Sequence, residues 1–315
     1  MTERTRVGVV GVGALGEHHA RIYSQLSTAQ LVAVYDINAE RAQHIAQRFG
    51  ARAAHSLQEL ADLVEAASVV VPTDRHRDVA VELLQRGVHL LVEKPIAVTT
   101  EEAREMVELA ERKELILQVG HVERFNPVLG VLENIGGRPR FIEAHRLAPY
   151  PPPRPDGPPR GTEVSVILDL MIHDLEVLLH LVRSPVRKIH AVGVPVLSRT
   201  EDIANVRLQF EDGAIANVTA SRISPDRMRK IRVFYEHAYV SLDYLNQNGE
   251  IYRLQNGRIV RETIPIERGE PLANELASFV DCVQRHAEPV VDGRQAARAL
   301  QLAIEIHRRL DAGPS

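Results

Sequence analysis

The chain has 315 residues, a length that favours two domains at roughly 100–200 residues each. Hydrophobic residues at 44%, charged residues at 25% and a net charge of −4 describe an ordinary globular protein; without a basic excess, neither a nucleic-acid nor a membrane partner is expected. No apolar run reaches the ~20 residues needed to span a bilayer. The polar start Met1–Arg6, followed by an apolar run broken by glycines, lacks a signal-peptide core, so a cytoplasmic protein is expected. Cys282, the one cysteine, excludes an intramolecular disulfide and a multi-cysteine zinc site, and no metal site is expected.

The first third alternates strand and helix. Arg6–Val10 reads as a buried strand and Ala14–Leu26 as a helix; Leu31–Tyr35 is a second strand, closed by Asp36. Asn38 caps a helix over Ala39–Arg48, and Ser56 with Glu59 has capping-box spacing for a helix to Leu63. Strands are expected over Ala67–Val71, Val88–Val92 and Leu115–Val119, with helices over His76–Arg86 and from Thr100 to about Lys113. This alternation predicts an α/β fold with a doubly wound parallel sheet, in which ligands meet the carboxyl ends of the strands. Those ends carry Gly11–Gly16, Asp36, Pro72, Thr73 and His76, Glu93-Lys94-Pro95, and Gly120-His121.

Gly11-Val12-Gly13-Ala14-Leu15-Gly16 fits the dinucleotide fingerprint in context: it follows a strand, opens a helix and precedes an acidic residue by about twenty positions. Gly11 serves the tight turn, Gly13 the approach of the pyrophosphate to the backbone, and Gly16 helix–strand packing; Ala14 and Leu15 open the helix whose N-terminus faces the phosphates. Asp36 can accept hydrogen bonds from the adenosine ribose and would repel a 2′-phosphate, so NAD is expected over NADP. Lys94 is one of only four lysines among 38 basic residues. At a strand's carboxyl end it can donate to a substrate hydroxyl, with Glu93 to orient or tune it. His76 and His121 stand at strand ends, either lining the cofactor cleft or serving as structural caps.

A glycine-rich first turn followed about eighty residues later by Glu-Lys-Pro resembles the Gfo/Idh/MocA family. The resemblance implies an NAD(P)-dependent oxidoreductase of sugars and cyclitols, with a Rossmann domain followed by an α/β domain built on a large, mostly antiparallel open sheet. It also implies assembly through that sheet, as a dimer or tetramer. The expected division is residues 1–121 for the NAD-binding domain and 122–315 for the substrate and oligomerisation domain.

In the second part, Val122–Ile135 reads as a bridging helix after Asn126-Pro127, and Arg140–Arg146 as a strand. Ala148–Gly161, with its prolines and with Arg154 and Arg160, reads as an irregular segment, a linker or a cover over a site. Glu163–Val182 reads as a buried helix, apolar almost all round but interrupted by Asp169, His173 and His180. Asp169 and His173, at i and i+4, share a face, and burial requires each to have a partner, a cavity or a ligand. Beyond Val186 the runs Lys188–Val194, Asn205–Phe210, Ala214–Ser221, Ile231–Tyr235, Tyr239–Tyr244 and Ile259–Ile264 read as strands. Glu211-Asp212-Gly213, Asn248-Gly249 and Asn256-Gly257 are hairpin signals, and two helices close the chain near Leu272–His286 and Arg294–Leu310.

Asp169-Leu170-Met171-Ile172-His173-Asp174 is similar to the family's D-x-x-x-H-D motif, which implies that Asp169, His173 and Lys94 line the substrate, with Asp174 as a support. Gly120-His121-Val122-Glu123-Arg124-Phe125-Asn126-Pro127 and Glu143-Ala144-His145-Arg146-Leu147 resemble signatures of the subgroup that oxidises C3 of UDP-N-acetylglucosamine and related UDP-sugars, the former for the diamino sugar of lipid A. Asn126 and Arg146 are expected substrate contacts; for Arg146 the alternatives are a sugar-nucleotide phosphate and a plain surface ion pair. The expected chemistry is hydride transfer from a sugar carbon to NAD. His173 is the preferred base over Lys94, because its unperturbed pKa is near neutral. The alternatives are a dehydrogenase of myo-inositol or another free sugar, and a non-catalytic NAD-sensing protein.

Overall fold

The computed structural model describes residues 4–133, 135–153, 159 and 161–311. The chain forms two compact units, Met1–Phe125 with Glu270–Leu300, and Asn126–Gly269 with Gln301–Ser315.

In the first unit the elements are β1 (Thr5–Val10), α1 (Ala14–Gln25), β2 (Ala29–Tyr35), α2 (Ala39–Phe49), β3 (Arg52–Ala53), α3 (Leu57–Leu63), β4 (Ala66–Val69), α4 (His76–Gln85), β5 (His89–Glu93), α5 (Thr100–Arg112) and β6 (Leu117–Gly120). The sheet is parallel, in the order β3-β2-β1-β4-β5-β6. That order reverses at β1/β4, the place where doubly wound sheets bind dinucleotides. β4 is buried along its whole length and β5 along all but His89, as expected of strands covered on both faces. Local chemistry sets the helix starts. Asn38 Oδ1 accepts the Arg41 N–H at 3.0 Å, and Ser56 Oγ accepts the Glu59 N–H at 3.0 Å. The expected box at Ser56 is half made, because the Glu59 carboxylate takes the His55 N–H instead; the reciprocal box is Thr99 with Glu102. β3 has only two residues, too few for a sequence pattern.

The second unit contains α6 (Gly130–Glu133), β7 (Phe141–Leu147), a π-helical turn (Ile167–Met171), α7 (Ile172–Val182), and β8 (Val186–Val194), β9 (Ile203–Phe210), β10 (Ile215–Ser221), β11 (Met228–Phe234), β12 (Ala238–Asp243), β13 (Asn248–Gln255) and β14 (Arg258–Ile264). α8 (Pro271–Arg285) and α9 (Gly293–Asp311) close the chain. The eight strands run β14-β13-β12-β11-β7-β10-β9-β8, antiparallel except at β7/β10. Ile142, Ala144, Val206, Leu208, Ala216, Val218, Ile231 and Val233 form its buried face.

Three expectations are corrected. The helix expected after Asn126-Pro127 shrinks to the short α6 (Gly130–Glu133), behind a 3₁₀ turn (Val122–Phe125), with Asn126 taking the Val128 N–H. Asn248-Gly249 is not a turn: both residues lie in β13, and the turn is residues 244–247. Gly249 pairs with Leu242, and a Cβ there would lie 2.5 Å from Leu242 Cδ2, so packing rather than a turn requires the glycine. The helix expected from Glu163 begins later and starts with the π-helical turn. Asn256-Gly257 does form the β13–β14 turn, with both φ angles positive (52° and 74°), and Gly213 (φ 88°) closes the β9–β10 hairpin. Residues 148–153 and 159 have no regular structure; Arg154 and Arg160 lie outside the described residues. Among the described residues no helix is long and apolar enough to cross a membrane, and no group of histidine, cysteine and acidic residues could hold a metal ion.

Candidate active site

The glycine-rich turn is shaped by close backbone approach. Gly11 has φ 84°, and a Cβ on it would lie 2.5 Å from the Val70 carbonyl oxygen; a Cβ on Gly16 would lie 1.9 Å from the Gly11 oxygen. Gly13 is the N-cap of α1 and offers no side-chain cap, and Ala14 and Leu15 follow as the first helical residues. This helix end therefore presents its first amides to an external anion. Asp36, buried at the end of β2, accepts the Val12 N–H at 2.9 Å and the Asn38 N–H at 2.8 Å, with Arg41 Nη1 at 3.5 Å. The carboxylate thus fixes the glycine-rich turn to the β2 end. A turn that a Cβ would fill, a helix end without a side-chain cap and an acid at the second strand together fit NAD.

Pro72 is exposed and Thr73 half-buried, at the start of a 3₁₀ turn. His76 is buried, with Nδ1 2.9 Å from the Pro95 oxygen and Nε2 2.9 Å from the Val71 oxygen. Both ring nitrogens face backbone carbonyls, so the ring sits as a brace between the β4 end and the Lys94–Pro95 segment. Burial pushes its pKa down. Glu93 ends β5; Lys94, half-buried, follows. The Glu93 carboxylate takes the Lys94 N–H (3.2 Å) and lies 3.2 Å from His19 Nε2. His121 is buried, and burial with the charges of Lys94 and Arg124 pushes it down to about 3, so it is neutral at physiological pH.

In the second unit Asp169 lies in the π-helical turn and His173 in the first turn of α7, both half-buried. The Ile172 N–H reaches back to the Ile167 oxygen, so the turn that carries Asp169 is wider than the regular helix expected from the sequence. Gly161 (φ 84°) lies against the Asp169 carboxylate: a Cβ there would be 2.4 Å from Asp169 Oδ2. Arg222 Nη1 donates to the Gly161 and Val164 oxygens, while its Nε donates to Asp202 Oδ1 at 2.8 Å. Asp202 also takes the amides of Val196, Leu197 and Ser198. Burial alone would raise its carboxyl, but Arg222 and these donors hold it well below the usual carboxylate range. Gly161, Arg222 and Asp202 were not singled out in the sequence; a lone glycine after a proline-rich segment carries no signal of the carboxylate it faces.

Arg146 is buried and forks onto Asp174, Nε to Oδ2 at 2.7 Å and Nη2 to Oδ1 at 3.0 Å. The ion pair that Arg146 makes is buried, unlike the surface pair weighed from the sequence. It holds the motif's second acid on α7. Asn126, also buried, donates to the Tyr244 oxygen at 3.2 Å and accepts the Val128 N–H.

Residues 5–121 match the oxidoreductase family with an NAD-binding Rossmann fold, and residues 132–241 the GFO/IDH/MocA C-terminal domain. The chain is 37% identical over 314 residues to UDP-N-acetylglucosamine 3-dehydrogenase of Acidithiobacillus ferrooxidans, covering 98% of this chain and 97% of that one. A solved structure of that organism's enzyme superposes with a TM-score of 0.92 at 36% identity, covering 99% of both chains. A more distant relative, scyllo-inositol 2-dehydrogenase (NAD(+)) of Bacillus subtilis, is 25% identical, with 96% of this chain and 93% of the relative covered. The chain belongs to the Gfo/Idh/MocA family and is an NAD-binding oxidoreductase acting on CH–OH groups.

Proposed function

We propose that this enzyme oxidises C3 of a UDP-N-acetylhexosamine, UDP-N-acetylglucosamine foremost, to the 3-keto sugar. The observation that carries the reading is the 37% identity to a UDP-N-acetylglucosamine 3-dehydrogenase over nearly the full length of both chains. The reading gives it a place in the synthesis of lipid A diamino sugars, as a cytoplasmic enzyme.

NAD, when bound, is the hydride acceptor. The turn Gly11–Gly16 and the first amides of α1 hold the pyrophosphate, and Asp36 takes the adenosine ribose, with repulsion of a 2′-phosphate favouring NAD over NADP. His173 accepts the proton of the C3 hydroxyl and Lys94 donates to the oxygen as its charge develops, while Asp169 lines the substrate as a hydrogen-bond acceptor. Asp174, fixed by Arg146, keeps α7 in register for His173. We read Arg146 as this prop and not as a phosphate ligand, because its fork is spent on Asp174.

The open sheet supports a homo-oligomer. Phe141, Phe234, Tyr239 and Tyr252 form a half-buried aromatic row across β7, β11, β12 and β13, with ring centroids 5.7, 4.5 and 5.0 Å apart. Leu254 and Ile259, 70% and 77% exposed, pair with each other on β13 and β14. Such an apolar face is suited to a second copy.

The test is absorbance at the reduced-nicotinamide band after mixing protein, NAD and UDP-N-acetylglucosamine, with and without a 2-oxo acid. Growth of the band, with a product lighter by two hydrogens and carbonyl-reactive at C3, is expected. A flat trace in both conditions with NAD bound, together with turnover of myo-inositol or a free sugar, would replace the nucleotide-sugar reading by a cyclitol one.

A further inference from the structure

Behind Glu93 the first unit encloses polar side chains that the chemistry above does not use. His19 and Tyr23 on α1, Gln118 on β6 and Glu275 on α8 are each 0% exposed, and Glu93 is 8% exposed. Glu275 is the unusual member: neither of its carboxyl oxygens has a hydrogen-bond partner among the described residues. On α8 it stands beside Leu276 and one turn before Phe279, both fully buried, and Gln118 Nε2 of β6 donates to its backbone oxygen at 3.2 Å. The groups surrounding Glu93 come from four elements. His19 Nε2 is 3.2 Å away, the Lys94 N–H donates at 3.2 Å, His76 on α4 feels its charge, and a Cβ on Gly120 of β6 would lie 2.9 Å from the carboxyl.

An ionised carboxylate without donors in an apolar core is too costly to persist, and two carboxyls that feel each other do not both ionise in such a place. Glu93 has donors and an edge to solvent; Glu275 has neither. We propose that Glu93 and Glu275 are a carboxyl pair holding a single proton, carried by Glu275, and that Glu275 is thereby a positioning residue. Its neutrality lets an ionised Glu93 stay fastened to the Lys94 amide and to His19. A charged Glu275 would push Glu93 out of that place and Lys94 with it. The acid–base part of this inference rests on the reading of Lys94 above; the shared proton does not.

Burial, with the Glu93 charge added, raises Glu275 well above its ordinary value of 4.5. The folded chain therefore keeps a proton that the unfolded chain gives up above about pH 4.5. The sign follows: this contribution to stability is complete below the unfolded value and is lost as pH rises toward the folded one. The other ionisable groups facing the pair are His19, His76, Tyr23 and Lys94. Tyr23 is raised by burial and stays neutral, and His76 is lowered by burial.

The experiment compares full-length wild type with E275Q, E275A and E93Q. Infrared spectra of the wild type at neutral pH are expected to show the carbonyl stretch of a protonated carboxyl that E275Q lacks. The decline of Tm with rising pH above pH 4.5 should flatten in E275Q; in E93Q, where burial alone still raises Glu275, it should persist but end at a lower pH. E275A should lower kcat about tenfold with little change in the KM for NAD, and E275Q, neutral and of the same shape, should restore it to within about twofold. Absence of the protonated-carboxyl stretch in the wild type overturns the shared proton, and that measurement does not depend on any variant folding. An unchanged slope of Tm against pH in E275Q overturns it too. Equal loss of kcat in E275Q and E275A overturns the positioning role. Undiminished turnover in K94A would end the reading of Lys94 while leaving the infrared and Tm results decisive for the pair.

Discussion

Lys94 shows how a single residue gains its chemical setting from neighbours that stay out of the proton inventory. His121 beside it is held neutral, pushed down to about 3, so no imidazolium competes with the ammonium near neutral pH. His76 is occupied by two backbone carbonyls and acts as a brace for the segment that carries Lys94. The consequence is testable at this scale. K94A and H173A should each lower kcat about a hundred- to ten-thousandfold, the range of a lost acid–base or oxyanion contact. NAD affinity, measured by quenching or calorimetry, should stay within a few-fold. Near-wild-type turnover in both variants would sink the assignment. Lys94 was legible in the sequence because a charged residue directly after an apolar strand stands at the ligand edge of a parallel sheet. For His76 the sequence left two roles open, cleft residue or structural cap, because its partners at Val71 and Pro95 lie on separate segments.

At the scale of the element, the start of α7 is the informative piece. The sequence pattern reads as a regular helix through Asp169 and His173; the structure instead has a π-helical turn at Asp169, whose carboxylate lies against Gly161. Gly161 is itself anchored through Arg222 and Asp202, so the segment after the proline-rich stretch and the helix start are fitted to each other. G161A should be felt twice. The positive φ is strained for alanine, by about 1 kcal/mol, and the methyl group would displace the Asp169 carboxylate. A kcat at least tenfold lower is expected with NAD binding intact, since roughly 1 Å of misplacement is enough for such a loss. Unchanged kcat, with the variant shown to be folded by its Tm, would mean that Asp169 has no part in turnover.

The molecule as a whole divides the work between two kinds of sheet. The parallel sheet is covered on both faces and offers only its strand ends. The mostly antiparallel one buries one face under side chains of its own unit and leaves the aromatic row on the other. The expected outcome of Tyr239→Arg is therefore dissociation: sedimentation should show an oligomer for the wild type and a smaller species for the variant, with unchanged circular dichroism. A wild type that sediments as a monomer at all accessible concentrations would remove the role given to that face.

By itself the sequence determined the β-α alternation, the glycine turn, the capping residues Asn38 and Ser56, and the hairpins at Gly213 and Asn256-Gly257. Each depends on neighbours within a few residues, where backbone freedom and hydrophobic period act directly. Tertiary structure alone decided the rest. Gly249 reads as a turn until Leu242 is laid across from it. α8 joins the first unit because its apolar face fits α1 and β1, a match that no local pattern encodes. Arg146 is bound to Asp174, Gly161 faces Asp169, and Glu275 is buried with Glu93 and His19 only once distant segments are folded together. A charged side chain looks the same in a sequence whether water or another charge will neutralise it; burial decides which, and burial belongs to the whole fold.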